Sequence, residues 1–234
     1  MVLSIIALLV SFIPSVLLYI YLRNSRGDDE EYVGFCREAV KRGLLCVVYI
    51  TLADLIVSLL ANFTGINKMS PVIVLAFKCF IINAFVEEGV KYLNARKVMD
   101  SFSRLSWLDC IAIMAIVGLT FGMAEDVVYI FSTNIGQIIV RGILMGHAPY
   151  GVFMGYFIGK YLYTNEKSNL LIGLIVPMLV HGLYNFSLGS EGDIFIFLPF
   201  ILIAVERYAM IRILLFFNKA RKEAGYEQYN QPLK

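Results

Sequence analysis

The sequence is short of charge. Only 16% of its 234 residues are Asp, Glu, Lys or Arg, where a soluble domain carries about 25%. It has 6 prolines and 18 glycines, without any collagen-like period or low-complexity tract. Collagenous and disordered classes are therefore excluded. Its 4 cysteines form no C-x-x-C pair, so neither a disulfide framework nor a cysteine metal knuckle is offered. A net charge of +2 gives no basic face for nucleic acid. What is abundant is apolar surface. Hydrophobic residues make up 59% of the chain and the mean hydropathy is +0.74. Such a chain cannot cover itself with polar groups in water, and a lipid bilayer is its natural solvent.

The apolar residues fall into seven segments: Met1–Leu22, Gly43–Phe63, Pro71–Leu93, Trp107–Phe131, Ile135–Tyr163, Asn169–Leu188 and Ile194–Phe217. Each is long enough to cross ~30 Å of hydrocarbon as a helix. Only a helix or a closed barrel satisfies every backbone amide in lipid, and the period-2 alternation of a barrel is absent. The expected fold is all-α, a polytopic membrane helix bundle of about seven helices. Residues 1–234 read as one membrane-embedded domain, with 218–234 as a polar tail.

Basic residues set the orientation. Arg23, Arg26, Arg37, Lys41 and Arg42 lie between segments one and two, and Arg96, Lys97 and Arg104 between three and four. Lys160 and Lys167 flank the turn after segment five, and Arg207, Arg212, Lys219, Arg221, Lys222 and Lys234 mark the C-terminal end. On the other side there is only Lys68. The positive-inside rule puts the N-terminus outside and the C-terminus in the cytoplasm. The first segment lacks a basic n-region and exceeds a signal peptide's apolar core, so it reads as a retained helix. The loop Arg23–Arg42, with its run Asp28-Asp29-Glu30-Glu31, reads as a solvated cytoplasmic segment.

A charge at the bilayer centre costs about 2.5–3.5 kcal/mol even on lenient scales. Ionisable residues within spans are thus where chemistry is expected. They are Asp54, Lys78, Glu87, Glu88, Lys91, Glu125, Asp126, Arg141, His147 and His181, with Asp109 and Glu206 nearer the inner boundaries. Lys91 follows Glu87 by four residues and Glu88 by three, so it reaches either carboxylate. Gly118 and Gly122 form a small-xxx-small pair that permits close helix approach, and Glu125 and Asp126 follow at once. An ion pair with Arg141 or Lys78 is the structural explanation of these acids. Both histidines of the chain lie mid-span, His147 in Met145-Gly-His-Ala-Pro149 and His181 in Leu179-Val-His-Gly-Leu-Tyr-Asn185. Imidazole is the commonest metal ligand and a base near neutral pH. His181 and Asn185 share a helix face, where Asn185 would orient the ring or donate to an oxyanion.

Depth decides whether these groups can meet. At 1.5 Å per residue, Glu125, His147 and His181 lie roughly 9, 15 and 12 Å from the outer boundaries. Glu87 lies roughly 24 Å deep if its span starts at Pro71. If Lys78 marks the true outer edge, Glu87 and Glu88 rise to roughly 13–15 Å and that helix runs on to about Arg96. Arg141, one and a half turns before His147, is expected near the outer mouth, paired with Glu125 or Asp126 or else meeting a substrate carbonyl.

In this order the motifs resemble those of the PrsW family of bacterial intramembrane proteases, similar to the wider CAAX-protease and bacteriocin-processing superfamily. The family pattern runs E-E-x-x-K, F-x-x-x-E, a histidine, then H-x-x-x-D or N. Here it is met by Glu87-Glu88-Gly-Val-Lys91, Phe121-Gly-Met-Ala-Glu125, His147 and His181-Gly-Leu-Tyr-Asn185. Asp126 departs from the more usual Asn, and Asn185 cannot supply a carboxylate ligand. The resemblance implies a multi-pass enzyme of the bacterial cell membrane. It implies the first, outer-side cut in a single-pass membrane protein of anti-sigma-factor type during envelope stress, with a second protease completing the release.

Two mechanisms fit that implication. In one, Glu125, His147 and His181 hold a Zn²⁺ and Glu87 or Glu88 takes the proton of a water. In the other no metal is used; a glutamate activates water, and His147, His181 and Asn185 stabilise the oxyanion. The i,i+4 spacing of Glu87 and Lys91 would leave Glu88 the freer base, whereas the resemblance favours Glu87. Both are kept as catalytic, Glu87 ahead. A transporter or proton-coupled channel, or a non-catalytic scaffold of the same fold, would also place charges inside a bundle.

Overall fold

A computed structural model describes residues 2–27, 29–102, 105–130 and 134–223. Asp28, Arg104, Phe131, Lys234 and most of the polar tail lie outside the described residues. Among those described there is no strand. The helices are α1 (Val2–Ser11), α2 (Ile13–Arg23), α3 (Glu30–Thr64), α4 (Pro71–Ala76), α5 (Glu87–Asp100), α6 (Trp107–Tyr129), α7 (Ile135–Leu144), α8 (Ala148–Thr164), α9 (Lys167–Gly189) and α10 (Asp193–Glu223). Among the described residues, six runs are long and apolar enough to cross a membrane: Leu3–Arg26, Glu30–Thr64, Trp107–Tyr129, Ile135–Thr164, Lys167–Gly189 and Asp193–Lys222. The seventh expected segment is helical from Pro71 to Asp100, but a π-helical stretch, Phe77–Val86, divides it. It extends beyond Arg96, as the depth argument required. The fold is a polytopic helical bundle.

Two parts of the sequence reading are corrected. The loop before the second span is not simply solvated. Helix α3 begins at Glu30, because the Asp29 side chain accepts from the Tyr32 amide and Glu30 and Glu31 occupy its first turn. An N-cap oxygen and first-turn acids both stabilise a helix N-terminus. Tyr32, Phe35, Cys36 and Ala39 then bury themselves in the core.

The fifth span is not one helix either. It breaks at Met145, which takes φ 47°, and restarts as α8 with Pro149 in its first turn. Proline has no N–H and its ring collides with the carbonyl four residues back, so the helix cannot run on unbroken from Met145 to Pro149. Helix α7 instead packs on α1, where Ala7, Leu8 and Ile138 form a small separate cluster.

Helix α6 is the axis of the molecule. Its residues 110–117 are all buried, with no polar face, as befits a helix surrounded by others. Helix α8 lies against it through Gly151 and Gly155, where a Cβ would come within 2.5 Å of the Met114 and Cys110 carbonyls. One end of the bundle is tied by polar contacts. Arg26 donates to Asp109 at 2.7 Å and Arg221 to the Ser25 carbonyl at 3.4 Å. The ends of α2 and α10 and the start of α6 therefore meet where the sequence places its cytoplasmic charges.

Candidate active site

The polar residues gather near the opposite end. Helix α5 begins where the π stretch ends, at Glu87, and presents Glu87, Glu88 and Lys91 inward. Glu88 and Lys91 are 1% and 2% exposed, so they must satisfy each other. Lys91 Nζ donates to Glu88 Oε1 at 2.6 Å, whereas Glu87 Oε2 is 3.8 Å away. The i,i+4 pairing expected from helix spacing is therefore the looser of the two. Glu88 wins because His181 Nδ1, 2.9 Å away, approaches the same oxygen and fixes its carboxylate. Glu87 Oε2 is buried without a hydrogen bond.

His147 is the hinge of the constellation. It occupies the N-cap position of α8, just after the break, and is buried. Its Nδ1 lies 2.8 Å from Lys91 Nζ and its Nε2 2.9 Å from Glu125 Oε2. An ammonium only donates and a carboxylate only accepts. A neutral ring with its proton on Nε2 satisfies both. By the same reasoning His181 donates from Nδ1 to Glu88, which leaves its Nε2 lone pair uncommitted. The two imidazole centroids are 5.4 Å apart.

The glycines of α6 make this possible. A Cβ on Gly118 would sit 2.7 Å from the His147 carbonyl oxygen, and one on Gly122 3.3 Å from the imidazole. Phe121 fills the space between, with Lys91 Nζ 4.7 Å from its ring centre and the His147 ring 4.8 Å from it. Arg141 closes the exposed side. It donates to Glu125 at 2.8 Å and to Asp126 at 2.7 Å, and lies 4.7 Å from the Tyr129 ring centre. Its side chain is 38% exposed against 18% and 10% for the two acids, so it stands at the mouth.

Glu87, Glu125, His147, His181 and Asn185 all line one cavity of about 380 Å³. Glu88 lies just behind its wall. The Asn185 side chain makes no hydrogen bond among the described residues and lines the same space. The tightest group of metal-ligating atoms comes from Glu87, Glu88, His147 and His181, all within 4.8 Å of one another. Glu125 is not in that group; it binds the far nitrogen of His147.

Three contributors were underweighted or missed in the sequence. Tyr150 lines the cavity and donates to Glu206 at 2.7 Å. Glu206 and Arg207 reach the same cavity from α10. Their signal was two adjacent charges midway along a thirty-residue apolar helix, which reads as a boundary only if that helix is assumed short. Lys78, by contrast, is exposed and outside the site.

Residues 39–211 match the family described as PrsW family intramembrane metalloprotease. The chain belongs to the PrsW family. It is 36% identical over 135 residues to Protease PrsW of Shouchella clausii (strain KSM-K16), which covers 55% of this chain and 63% of the relative. To Protease PrsW of Clostridioides difficile (strain 630) it is 26% identical over 213 residues, 81% and 88% of the two chains. To that of Bacillus subtilis (strain 168) it is 30% identical over 131 residues, 53% and 60% of the two. The match thus spans less than two thirds of the Shouchella and Bacillus relatives. No solved structure matches. The four stretches singled out in the sequence, from Glu87 to Asn185, fall within the matched range. Membership together with the six apolar helices makes this a multi-pass bacterial membrane protein.

Proposed function

We propose that the chain is an intramembrane endopeptidase that cuts a single-pass membrane protein on its outer side, an anti-sigma factor being the fitting class. Its N-terminus is then outside and its C-terminus cytoplasmic. The observation that carries this reading is Glu87, a buried carboxylate oxygen without a hydrogen bond, on a cavity wall shared with both histidines. A carboxylate so placed takes a proton from water, and water attacks the scissile carbonyl. His181 Nε2 and the Asn185 amide face the space where that carbonyl oxygen would lie, and Asn185 is the group free to donate to it. Glu88 does not turn over protons in this scheme. It holds Lys91 and His181 in place. Glu125 holds His147, and Arg141 anchors Glu125.

The donor set also fits a divalent cation. Two carboxylates and two imidazoles within 4.8 Å suit zinc better than calcium or magnesium. Glu88, His147 and His181, with Glu87 at the edge, would hold it, and Glu125 would serve as the carboxylate that orients His147. Bound there, zinc would supply a Lewis acid for water and carbonyl. One feature favours the metal-free alternative. Lys91 already places a positive charge between Glu88 and His147 Nδ1.

The test is cleavage of a purified single-pass anti-sigma factor by the full chain in detergent micelles, with fragments identified by mass spectrometry. Cleavage on the outer side that Glu87→Gln abolishes is the expected result. Unchanged cleavage by that variant would remove the hydrolase assignment. Metal content of the active preparation, and recovery by zinc after chelation, decide between the two mechanisms.

A further inference from the structure

The cavity contains cations of two kinds. Arg141 is engaged by two carboxylates at its mouth. Arg207, on α10, lines the same cavity yet makes no ion pair among the described residues, and its Nε and Nη1 are buried without a hydrogen-bond partner. The neighbouring Glu206 makes no ion pair with it; that carboxylate accepts from Tyr150 instead. A guanidinium with two buried donors left unmet is costly. It persists where something else is meant to meet it.

Two acceptors could do so: an acidic side chain of the substrate, or carbonyl oxygens of its backbone. The charge balance separates them. Asp54, Glu87, Glu125, Asp126 and Glu206 line the cavity against Arg141 and Arg207. An entering carboxylate meets a predominantly negative wall, whereas a neutral carbonyl does not. The reaction demands the carbonyl as well. In a helix each carbonyl is bonded to its own following turn and shielded from attack. A substrate must therefore unwind before it is cut, and every carbonyl released in lipid is costly until it finds a donor.

We propose that Arg207 is a substrate-binding residue that donates to backbone carbonyl oxygens of the unwound segment next to the scissile bond. This rests on the protease reading. Guanidinium N–H groups suit the task because they present several donors in a fixed plane and remain charged. Arg207 is separate from the Glu87 chemistry, so its loss weakens binding before it slows the bond-breaking step.

The experiment uses the full chain in detergent micelles and a quenched-fluorescence peptide comprising one apolar helix of about 20 residues with its outer juxtamembrane segment. The peptide is made in two versions, with Glu or with Gln at the junction of its apolar helix and that juxtamembrane segment. Arg207→Gln should raise KM about tenfold or more for both peptides, with kcat changed less, as loss of charge-assisted hydrogen bonds predicts. Arg207→Lys should fall between. Unchanged KM in either variant overturns the proposal. A loss seen only with the Glu peptide overturns it too, in favour of side-chain recognition. If Arg207→Gln does not fold, Arg207→Lys alone decides. If the wild-type chain cuts neither peptide, the protease reading has failed on its own. Arg207 is then judged by the Kd of the labelled Gln peptide, which must still weaken in both variants.

Discussion

Tyr150 lies flat against His181. The ring centroids are 5.1 Å apart and the planes are inclined by only 14°. Glu206 accepts from the Tyr150 hydroxyl, so the phenol is pinned at one end and covers the imidazole with its face. Three helices, α8, α9 and α10, thereby fix one ring. Tyr150→Phe keeps the stacking but strands the Glu206 carboxylate. We expect it to lower stability by about 1–3 kcal/mol and to slow cleavage several-fold. Tyr150→Ala should slow it more. Equal rates for both variants would mean that the stacking has no part in orienting His181.

The two glutamates should separate experimentally. Glu88 is bonded to Lys91 and His181, so Glu88→Gln breaks a buried charge pair, a change that costs about 3–5 kcal/mol. Its thermal unfolding temperature in micelles should fall sharply. Glu87→Gln removes a carboxylate that holds nothing tightly. That variant should unfold near the wild-type temperature and yet be inactive. A stable, active Glu87→Gln alongside a stable, inactive Glu88→Gln would exchange their roles.

Arg141 holds two acids with two different nitrogens. Arg141→Lys keeps the charge but loses the planar fork. Cleavage should drop about tenfold, the loss of one charge-assisted bond, with Glu125 and through it His147 less firmly held. Full activity in that variant would show that one contact is enough.

Gly118→Ala places a methyl group against the His147 carbonyl, which is backbone and cannot swing aside. A cost of about 1–3 kcal/mol is expected from such overpacking, together with loss of activity from the displaced histidine. Gly146→Ala is the control, since nothing lies within 4 Å of a Cβ there. Circular dichroism melts and cleavage rates of the pair would check it. Equal behaviour of the two would show that α6 and α8 can separate without harm.

Much of this was legible in the sequence because lipid makes charge expensive. Glu87, Lys91, Glu125, His147 and His181 stand out against an apolar background, and their depths, once Lys78 is placed at the edge, bring them to one layer. Rotation about the helix axis was not legible. Spacing alone favours Lys91 with Glu87, and only His181, 93 positions along the chain, turns the pairing towards Glu88. The break at Met145 was hidden for a related reason. Hydropathy integrates over a whole span and does not register that Gly146 and Pro149 interrupt it. Tyr150 was invisible because a tyrosine in an apolar run gives no signal until its hydroxyl finds a partner.

All four cysteines, Cys36, Cys46, Cys79 and Cys110, are free and buried. A buried thiol is out of reach of water-borne alkylating reagents. The native chain is therefore its own blank for chemical labelling. A cysteine placed at exposed Asn67 or at exposed Lys97 would be read against a silent background. A charged maleimide that cannot cross the bilayer should then mark the first in intact cells and the second only after lysis.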